Sequence, residues 1–195
     1  MKNKRTLLVL ILVIVLLLGG AIVLYSKLKQ TVASEQLAAK EPRTQEQSDD
    51  GSEEAQQKTP APDFTVYDAE GNEAQLSDYV GKPIVLNFWA SWCGPCQMEM
   101  PDFHEKYLEL GEDFHFLMIN MTDGSRETVE SASEFISERE YTFPVFYDTQ
   151  SSAAMTYGAY SLPTTYFIDA EGYVIAQATG AIDAETLQRG IDMIS

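Results

Sequence analysis

Hydrophobic residues divide the chain into three parts. The stretch Thr6–Leu24 is almost wholly apolar, and its length is about the 20 residues that a helix needs to cross a bilayer. Residues 26–58 show no hydrophobic periodicity. From residue 59 to the end, short apolar runs alternate with amphipathic stretches, and this alternation predicts a layered α/β domain.

We predict that residues 1–25 form an uncleaved, single-pass membrane anchor. Three basic residues precede the apolar run and two lysines follow it, so the charge balance leans only slightly towards an N-terminus inside the cell. A cleaved signal peptide is the alternative, although its apolar region is usually about 7–15 residues long. Residues 26–58, rich in Gln, Glu, Ser and Ala, are predicted to be a flexible acidic linker.

The elements predicted for residues 59–195 include a central strand, Ile84–Trp89, because an apolar run of this length fits a strand buried on both faces. The other predicted strands are Phe64–Tyr67, Phe114–Asn120, Val145–Tyr147 and a hairpin of Thr164–Ile168 with Tyr173–Thr179. Helices are predicted from Cys96 to about Leu110, broken or kinked at Pro101, over Ser125–Glu140 and Ser151–Tyr157, and after Asp183. The glutamates of the second helix are expected to face solvent.

The predicted domain is strongly acidic. Residues 59–195 contain five Lys and Arg against 23 Asp and Glu, which leaves this part with a net charge of −18. A surface of this sign repels the phosphate backbone, so nucleic acid is excluded as a partner.

Cys93 and Cys96 are the only cysteines of the chain. A structural zinc ion needs four ligands, and neither histidine has a metal-type spacing to this pair. An inert stabilising disulfide is another possibility, but so small a loop removes little entropy from the unfolded chain. We therefore predict a redox-active Cys93–Cys96 dithiol that works without a metal or other cofactor.

The spacing gives the two thiols different tasks. Cys93 is expected at a helix N-terminus, where unpaired N–H groups and the helix dipole favour the thiolate that attacks. Gly94 and Pro95 suit the turn that enters the helix. Cys96 then lies one turn further in, where it is sheltered but can attack the Cys93 sulfur in a mixed disulfide.

Two stretches resemble thioredoxin: Phe88–Cys96 looks like its active-site segment, and Leu162–Pro163–Thr164 looks like its cis-proline loop. The domain as a whole is similar to the membrane-tethered TlpA/ResA-like thiol–disulfide oxidoreductases. The further motifs that carry this similarity are Ala61–Phe64, Leu76–Asp78 with Gly81–Lys82, Glu99–Met100–Pro101, and Ile168–Gly172. The resemblance implies a thioredoxin-like fold, a central mixed sheet flanked by helices, with a strand–helix insertion before the proline loop.

The resemblance also implies that the Leu162–Pro163 peptide bond is cis and that the backbone of Leu162 pairs with an extended substrate segment. An ordinary turn proline is the alternative. Together with these two residues, we assign Trp92, Gly94 and Pro95 to substrate binding, because they surround Cys93 in the sequence. Trp92 is expected to be exposed.

One position departs from thioredoxin. Thioredoxin has a buried aspartate on its central strand that accepts the proton of the second cysteine, and the matching residue here is Asn87, which cannot titrate. Glu99 lies one helical turn after Cys96 and matches a glutamate that TlpA/ResA-like proteins keep beside their cysteines. If it is partly buried, its raised pKa suits it to take the Cys96 proton, whereas a solvent-facing glutamate would have no such role.

The resemblance implies a reductase held at the cell membrane, with its C-terminal domain outside the cytoplasm. Its partners would be a membrane electron donor and disulfide-bearing clients, which in the TlpA/ResA-like group include apocytochrome c and secreted repair reductases. A thiol oxidase or disulfide isomerase would use the same residues at a higher potential. A thiol peroxidase and a copper chaperone are weaker alternatives, since the surroundings of Cys93 lack the peroxiredoxin motif and the histidines lack the copper-site spacing.

Overall fold

The computed structural model describes residues 37–39, by their backbone alone, and residues 58–195. In chain order, the strands are β1 Leu37–Ala39, β2 Thr59–Pro60, β3 Thr65–Tyr67, β4 Glu73–Gln75, β5 Ile84–Trp89, β6 His115–Asn120, β7 Val145–Tyr147, β8 Thr164–Ile168 and β9 Tyr173–Thr179. The helices are α1 Gly94–Leu110, α2 Val129–Glu138, α3 Ser152–Tyr157 and α4 Ala184–Asp192, and a 3₁₀ turn covers Leu76–Tyr79.

The strands form one mixed sheet in the order β1-β9-β8-β5-β6-β7-β3-β4, with β2 also paired to β9. Strands β5, β6 and β7 are parallel to one another, while β8 runs antiparallel to β5 and β9 antiparallel to β8. This is the mixed, helix-flanked sheet of the thioredoxin-like fold, and it confirms the fold class implied by the resemblance.

Strand β5 is buried at every residue because the sheet carries an apolar layer on both faces. Val85 and Trp89 belong to the layer that includes residues of α1, α2 and α4. Leu86 and Phe88 belong to the opposite layer, which includes residues of α3. Side chains alternate along a strand, so Asn87 lies on the α1 face, at the level where the cysteine helix begins.

Three chain segments meet where the central strands β5 and β6 end. Strand β5 runs into the cysteine segment, and β6, parallel to it, ends at the same level because Trp89 pairs with Asn120. Strand β8 starts there, since Thr164 pairs with Phe88. The loop after β6 and the loop before β8 are therefore brought next to the cysteines.

Most predicted elements are confirmed within a residue or two, but the predicted start of α2 is wrong. The sequence predicts a helix from Ser125, whereas α2 begins at Val129, after the cap residue Thr128. The helix begins later because Asp123 holds the preceding residues in a turn. Its Oδ1 accepts hydrogen bonds from the backbone N–H groups of Ser125, Arg126 and Glu127. Two further predictions differ from the structure. Helix α1 continues through Pro101 without a break, and strands β1, β2 and β4 are not predicted.

The predicted anchor lies outside the described residues, as does most of the predicted linker. Strand β1 falls within the linker interval and pairs antiparallel with β9, with Leu37 opposite Ala178. None of the helices in the described part is long and apolar enough to cross a membrane. The division into anchor, linker and domain therefore stays a prediction.

Candidate active site

Cys93 and Cys96 are joined by a disulfide at the start of α1. Cys93 is the N-cap residue of this helix, and its sulfur accepts a hydrogen bond from the Cys96 N–H at 3.3 Å. Pro95 occupies the first helical turn, where its missing N–H costs no hydrogen bond. An N–H group and the positive end of the helix dipole thus face the Cys93 sulfur, as the spacing predicts.

One helical turn after Cys96, Glu99 is buried, with 2% of its surface exposed. Its Oε1 accepts a hydrogen bond from Asn87 Nδ2 at 2.9 Å, and its Oε2 accepts one from the Ile182 N–H at 3.0 Å. Burial raises the pKa of Glu99 from 4.5 to about 7, although both hydrogen bonds oppose the rise. The carboxyl can consequently exchange a proton near neutral pH.

Asn87 connects Glu99 to the sheet. Its Nδ2 donates to Glu99 and also to Thr165 Oγ1, at 3.0 Å, from the neighbouring strand β8. Sequence reasoning treats Asn87 only as a missing aspartate. The structure shows that it is a hydrogen-bond donor to the glutamate on which the site's proton chemistry would depend.

In front of the disulfide lies an open groove of about 600 Å³. We call it the client groove. Its walls come from the cysteine segment, the loop after β6 and the loop before β8. The lining residues are Trp92, Cys93, Gly94, Pro95, Met121, Asp123, Arg126, Ala159, Tyr160 and Leu162. Cys93 is only 4% exposed, whereas Trp92 and Tyr160 are 42% and 80% exposed, so an aromatic rim surrounds a recessed sulfur.

The structure places the predicted site residues on different sides of the disulfide. Trp92, Gly94, Pro95 and Leu162 line the client groove, while Glu99 does not. Pro163 follows a cis peptide bond, as the resemblance implies, but it is buried behind Leu162 and does not line the groove.

Sequence reasoning misses the site residue Glu127, because the predicted helix Ser125–Glu140 includes it among glutamates that are expected to face solvent. It is fully buried, and its carboxylate accepts hydrogen bonds from the Ser91 N–H and Ser91 Oγ, both at 2.7 Å. Asn120 Nδ2 donates a third, at 2.6 Å. The available signal was its position directly before the cap residue Thr128, which places Glu127 outside the helix.

The position of the two sulfurs defines the class of protein. Thiol–disulfide oxidoreductases of the thioredoxin fold carry a CxxC pair where the central strand turns into a helix, facing a cis-proline loop, and this chain is one of them. Residues 58–177 match the model of the AhpC/TSA family. The chain belongs to that family and, within it, to the TlpA/ResA-like thiol–disulfide oxidoreductases.

Similar proteins of known sequence or structure agree with this assignment. The thiol–disulfide oxidoreductase ResA of Geobacillus kaustophilus is 37% identical over 135 residues, which cover 69% of this chain and 75% of ResA. The exposed lipoprotein thioredoxin Etrx1 of Streptococcus pneumoniae is 32% identical, with 67% and 98% covered and a TM-score of 0.59. A DsbF homologue from Corynebacterium diphtheriae is 27% identical, with 77% and 99% covered and a TM-score of 0.63.

A thiol peroxidase is one of the alternatives that the sequence leaves open, but the residues before Cys93 differ from the peroxiredoxin motif. That motif places Thr three residues and Pro seven residues before the attacking cysteine, and here these positions are Ala90 and Leu86. Within residues 58–195, no group of three or more His, Cys, Asp and Glu side chains is arranged to hold a metal ion. The disulfide is the chemical centre that the site offers.

Proposed function

We propose that this protein is a membrane-anchored reductase that acts outside the cytoplasm on disulfides of client proteins. The observation that carries the proposal is the different surroundings of the two sulfurs. Cys93 lines the client groove, whereas Cys96 is fully buried and lies one helical turn before the buried Glu99. One sulfur can meet a client, and the other can meet only Cys93.

The reaction starts from the reduced pair. The Cys93 thiolate attacks one sulfur of the client disulfide, which forms a mixed disulfide and releases the other client sulfur as a thiolate. Cys96 then attacks the Cys93 sulfur and releases the second client thiolate. The client gains two electrons and the Cys93–Cys96 pair loses them. The Cys96 proton passes to Glu99 and from there to solvent, and the two released client thiolates take up two protons from water.

Glu99 accepts the proton of the Cys96 thiol in the second step. A carboxyl with a pKa of about 7 is largely ionised just above neutral pH, yet still basic enough to accept a proton. The hydrogen bond from Asn87 holds Oε1 in place while the proton moves. In this role Glu99 substitutes for the aspartate that thioredoxin carries at the position of Asn87.

The loop before β8 contributes backbone groups to client binding. Among the described residues, neither the N–H nor the C=O of Leu162 has a backbone hydrogen-bond partner, and Leu162 lines the client groove. An extended client segment can pair with these groups as an added strand. This supports assigning Leu162 to client binding, with the buried Pro163 determining the course of the loop.

The amino-acid sequence supports two further parts of the proposal, that the protein reduces its clients and that it acts at the membrane outside the cytoplasm. The Gly94–Pro95 dipeptide resembles that of thioredoxin, which has a potential of about −270 mV, against about −120 mV for strong oxidants of the DsbA kind. The apolar run Thr6–Leu24 supports the anchor, and Etrx1 is described as an exposed lipoprotein. A membrane electron donor returns the oxidised pair to its dithiol form, and apocytochrome c and secreted repair reductases are candidate clients.

A trapping experiment tests the proposal. A Cys96→Ala variant can form the mixed disulfide but cannot resolve it, so clients should remain on Cys93 and be identifiable by mass spectrometry after non-reducing electrophoresis. The matched control, Cys93→Ala, should trap none. Equal trapping by both variants, or failure of the intact protein to reduce a model protein disulfide, contradicts the proposal. A measured potential near that of DsbA would assign the protein to the oxidases instead.

A further inference from the structure

Arg126 lies beside the disulfide in an arrangement that the proposed reaction does not use. Its guanidinium stacks on the Trp92 ring, 3.6 Å from the ring centroid. Both residues line the client groove, and Arg126 is exposed. The stack therefore places a positive charge on the rim of the site, directly against the residue that precedes Cys93.

Hydrogen bonds hold the backbone on both sides of this arginine. The Arg126 N–H donates to Asp123 Oδ1 at 2.7 Å, and the next residue, Glu127, is buried and hydrogen-bonded to Ser91. Ser91 precedes Trp92 in the chain, so the same bonds that hold the loop after β6 also hold the ring under the guanidinium. A charge held in this way loses little further freedom when a ligand binds to it.

The hydrogen-bonding capacity of this guanidinium is unused in residues 58–195. Every other Lys or Arg there donates to an oxygen: Lys58 to Asp169, Lys82 to the Glu112 carbonyl, Lys106 to Glu109, Arg139 to the Phe135 carbonyl and Arg189 to Thr186. Within this range the Arg126 guanidinium makes no hydrogen bond or ion pair, and it stacks on Trp92. Stacking occupies the flat face of a guanidinium and leaves its five N–H donors, which point outward along the edge.

A carboxylate is the group that fits these donors. A guanidinium edge binds a carboxylate through two parallel N–H···O bonds, which gives both energy and orientation. The other charged residue of the groove, Asp123, already uses Oδ1 for the backbone of its own turn. The remaining acidic surface weakly opposes an acidic client, but exposed charges are screened beyond about 8–10 Å at physiological salt. The Arg126 guanidinium therefore determines that the client groove prefers a client with a carboxylate close to its disulfide.

We propose that Arg126 is a specificity-determining residue that binds an Asp or Glu side chain lying close to the disulfide of the client. The inference rests on the proposed reduction of client disulfides and deepens it. It narrows the preferred clients to proteins in which an acidic residue neighbours the reactive cysteine. The Trp92 ring packs under the guanidinium, and 42% of Trp92 remains exposed.

Matched peptides test the inference. Two peptides differ only in Asp or Asn beside a single cysteine, which is joined to 2-thiopyridine, an uncharged leaving group. Attack by Cys93 on the peptide sulfur releases 2-thiopyridone, whose absorbance gives the rate. With the reduced full-length protein, we expect the Asp peptide to react about three- to tenfold faster than the Asn peptide, and this ratio should fall as salt is added.

Substitution then identifies the residue responsible. Arg126→Gln should bring the Asp/Asn ratio close to one, and Arg126→Glu should invert it. Arg139→Gln is the matched control, because Arg139 also stacks on an aromatic ring, Phe135 at 3.8 Å, and its loss removes the same charge away from the groove. This control should keep the wild-type ratio.

The outcomes separate the inference from the proposed function. If the wild-type protein reacts with both peptides at equal rates, the inference is overturned while the function stands. If Arg126→Gln slows both peptides equally and leaves their ratio unchanged, Arg126 only supports Trp92, and the inference is again overturned. If neither peptide reacts, the proposed function itself fails.

Discussion

Glu99 and Glu127 are both buried beside the cysteine segment, yet the structure surrounds them differently. Glu127 accepts three hydrogen bonds of 2.6–2.7 Å, two of them from Ser91. Glu99 accepts two, at 2.9 and 3.0 Å, and burial raises its pKa to about 7. Glu127 connects Ser91 to Asn120 through its hydrogen bonds, whereas Glu99 has fewer and longer hydrogen bonds and a pKa near neutral. Burial alone does not distinguish these roles.

The largest expected effect is the loss of stability when Glu127 is removed. Glu127→Ala leaves the three donors on Ser91 and Asn120 without their acceptor, and we expect it to lower the free energy of unfolding by about 4 kcal/mol. Urea denaturation of the oxidised protein measures this change. Glu134→Ala, an exposed residue of α2, is the control and should change stability by less than about 0.5 kcal/mol. A loss below about 1 kcal/mol would show that Glu127 does not anchor the cysteine segment through Ser91.

Glu99→Gln should act on the rate and pH dependence of the second step. In the wild type, resolution of the mixed disulfide should rise with pH through about 7, as Glu99 ionises. In the variant this inflection should disappear, and resolution should slow about 10- to 100-fold near pH 7.5. The difference should shrink above about pH 9, where the Cys96 thiol ionises unaided. Stopped-flow fluorescence of the reduced protein mixed with an excess of a model disulfide gives the rate of this second phase, with Glu105→Gln on the exposed face of α1 as the control.

The stability of the same variant gives an independent check on the Glu99 pKa. Below pH 4.5 the carboxyl is protonated in the folded and unfolded chains alike. Between pH 4.5 and 7 only the folded chain keeps the proton, so the wild type loses stability as the pH rises, by about 3 kcal/mol in all. Glu99→Gln lacks this loss. Its stability relative to the wild type should therefore increase by that amount between pH 4.5 and 8, and a constant difference would contradict the raised pKa.

Much of the fold can be predicted from the sequence because local pattern and tertiary burial agree there. Strand β5 is found at the predicted residues, since a nearly continuous apolar run of this length is typical of a strand buried on both faces. The CxxC pair likewise places Cys93 at a helix cap without any knowledge of distant residues. In these regions, residues that are neighbours in the sequence determine the structure, so the pattern is enough to predict it.

The remaining part of the site depends on contacts between residues far apart in the sequence. A glutamate next to a helix cap looks solvent-facing until Ser91 and Asn120 are seen to surround it. The stack of Arg126 on Trp92 depends on β5 and β6 ending at the same level. Alternation along β5 places Asn87 on the same face as Val85 and Trp89. The helix that covers this face, and the hydrogen bond to Glu99, depend on the position of α1.

Asn87→Asp offers the finest test of the comparison, because it introduces the aspartate that thioredoxin carries at this position. The new carboxylate would lie against Glu99 Oε1, where the Asn87 amide now donates at 2.9 Å. Two carboxyl groups this close share one proton, so the pair should titrate in two steps, the upper one at least about one unit above the value for Glu99 alone. The pH at which the resolution rate inflects should rise accordingly, and each pKa unit of that rise corresponds to about 1.4 kcal/mol.

Thr165→Val is the control. It removes the other acceptor of the Asn87 amide but adds no charge, so it should leave the inflection in place. If both variants behave alike, the inflection does not report the Glu99 proton, and the distinction drawn between the two buried glutamates would rest on hydrogen-bond geometry alone.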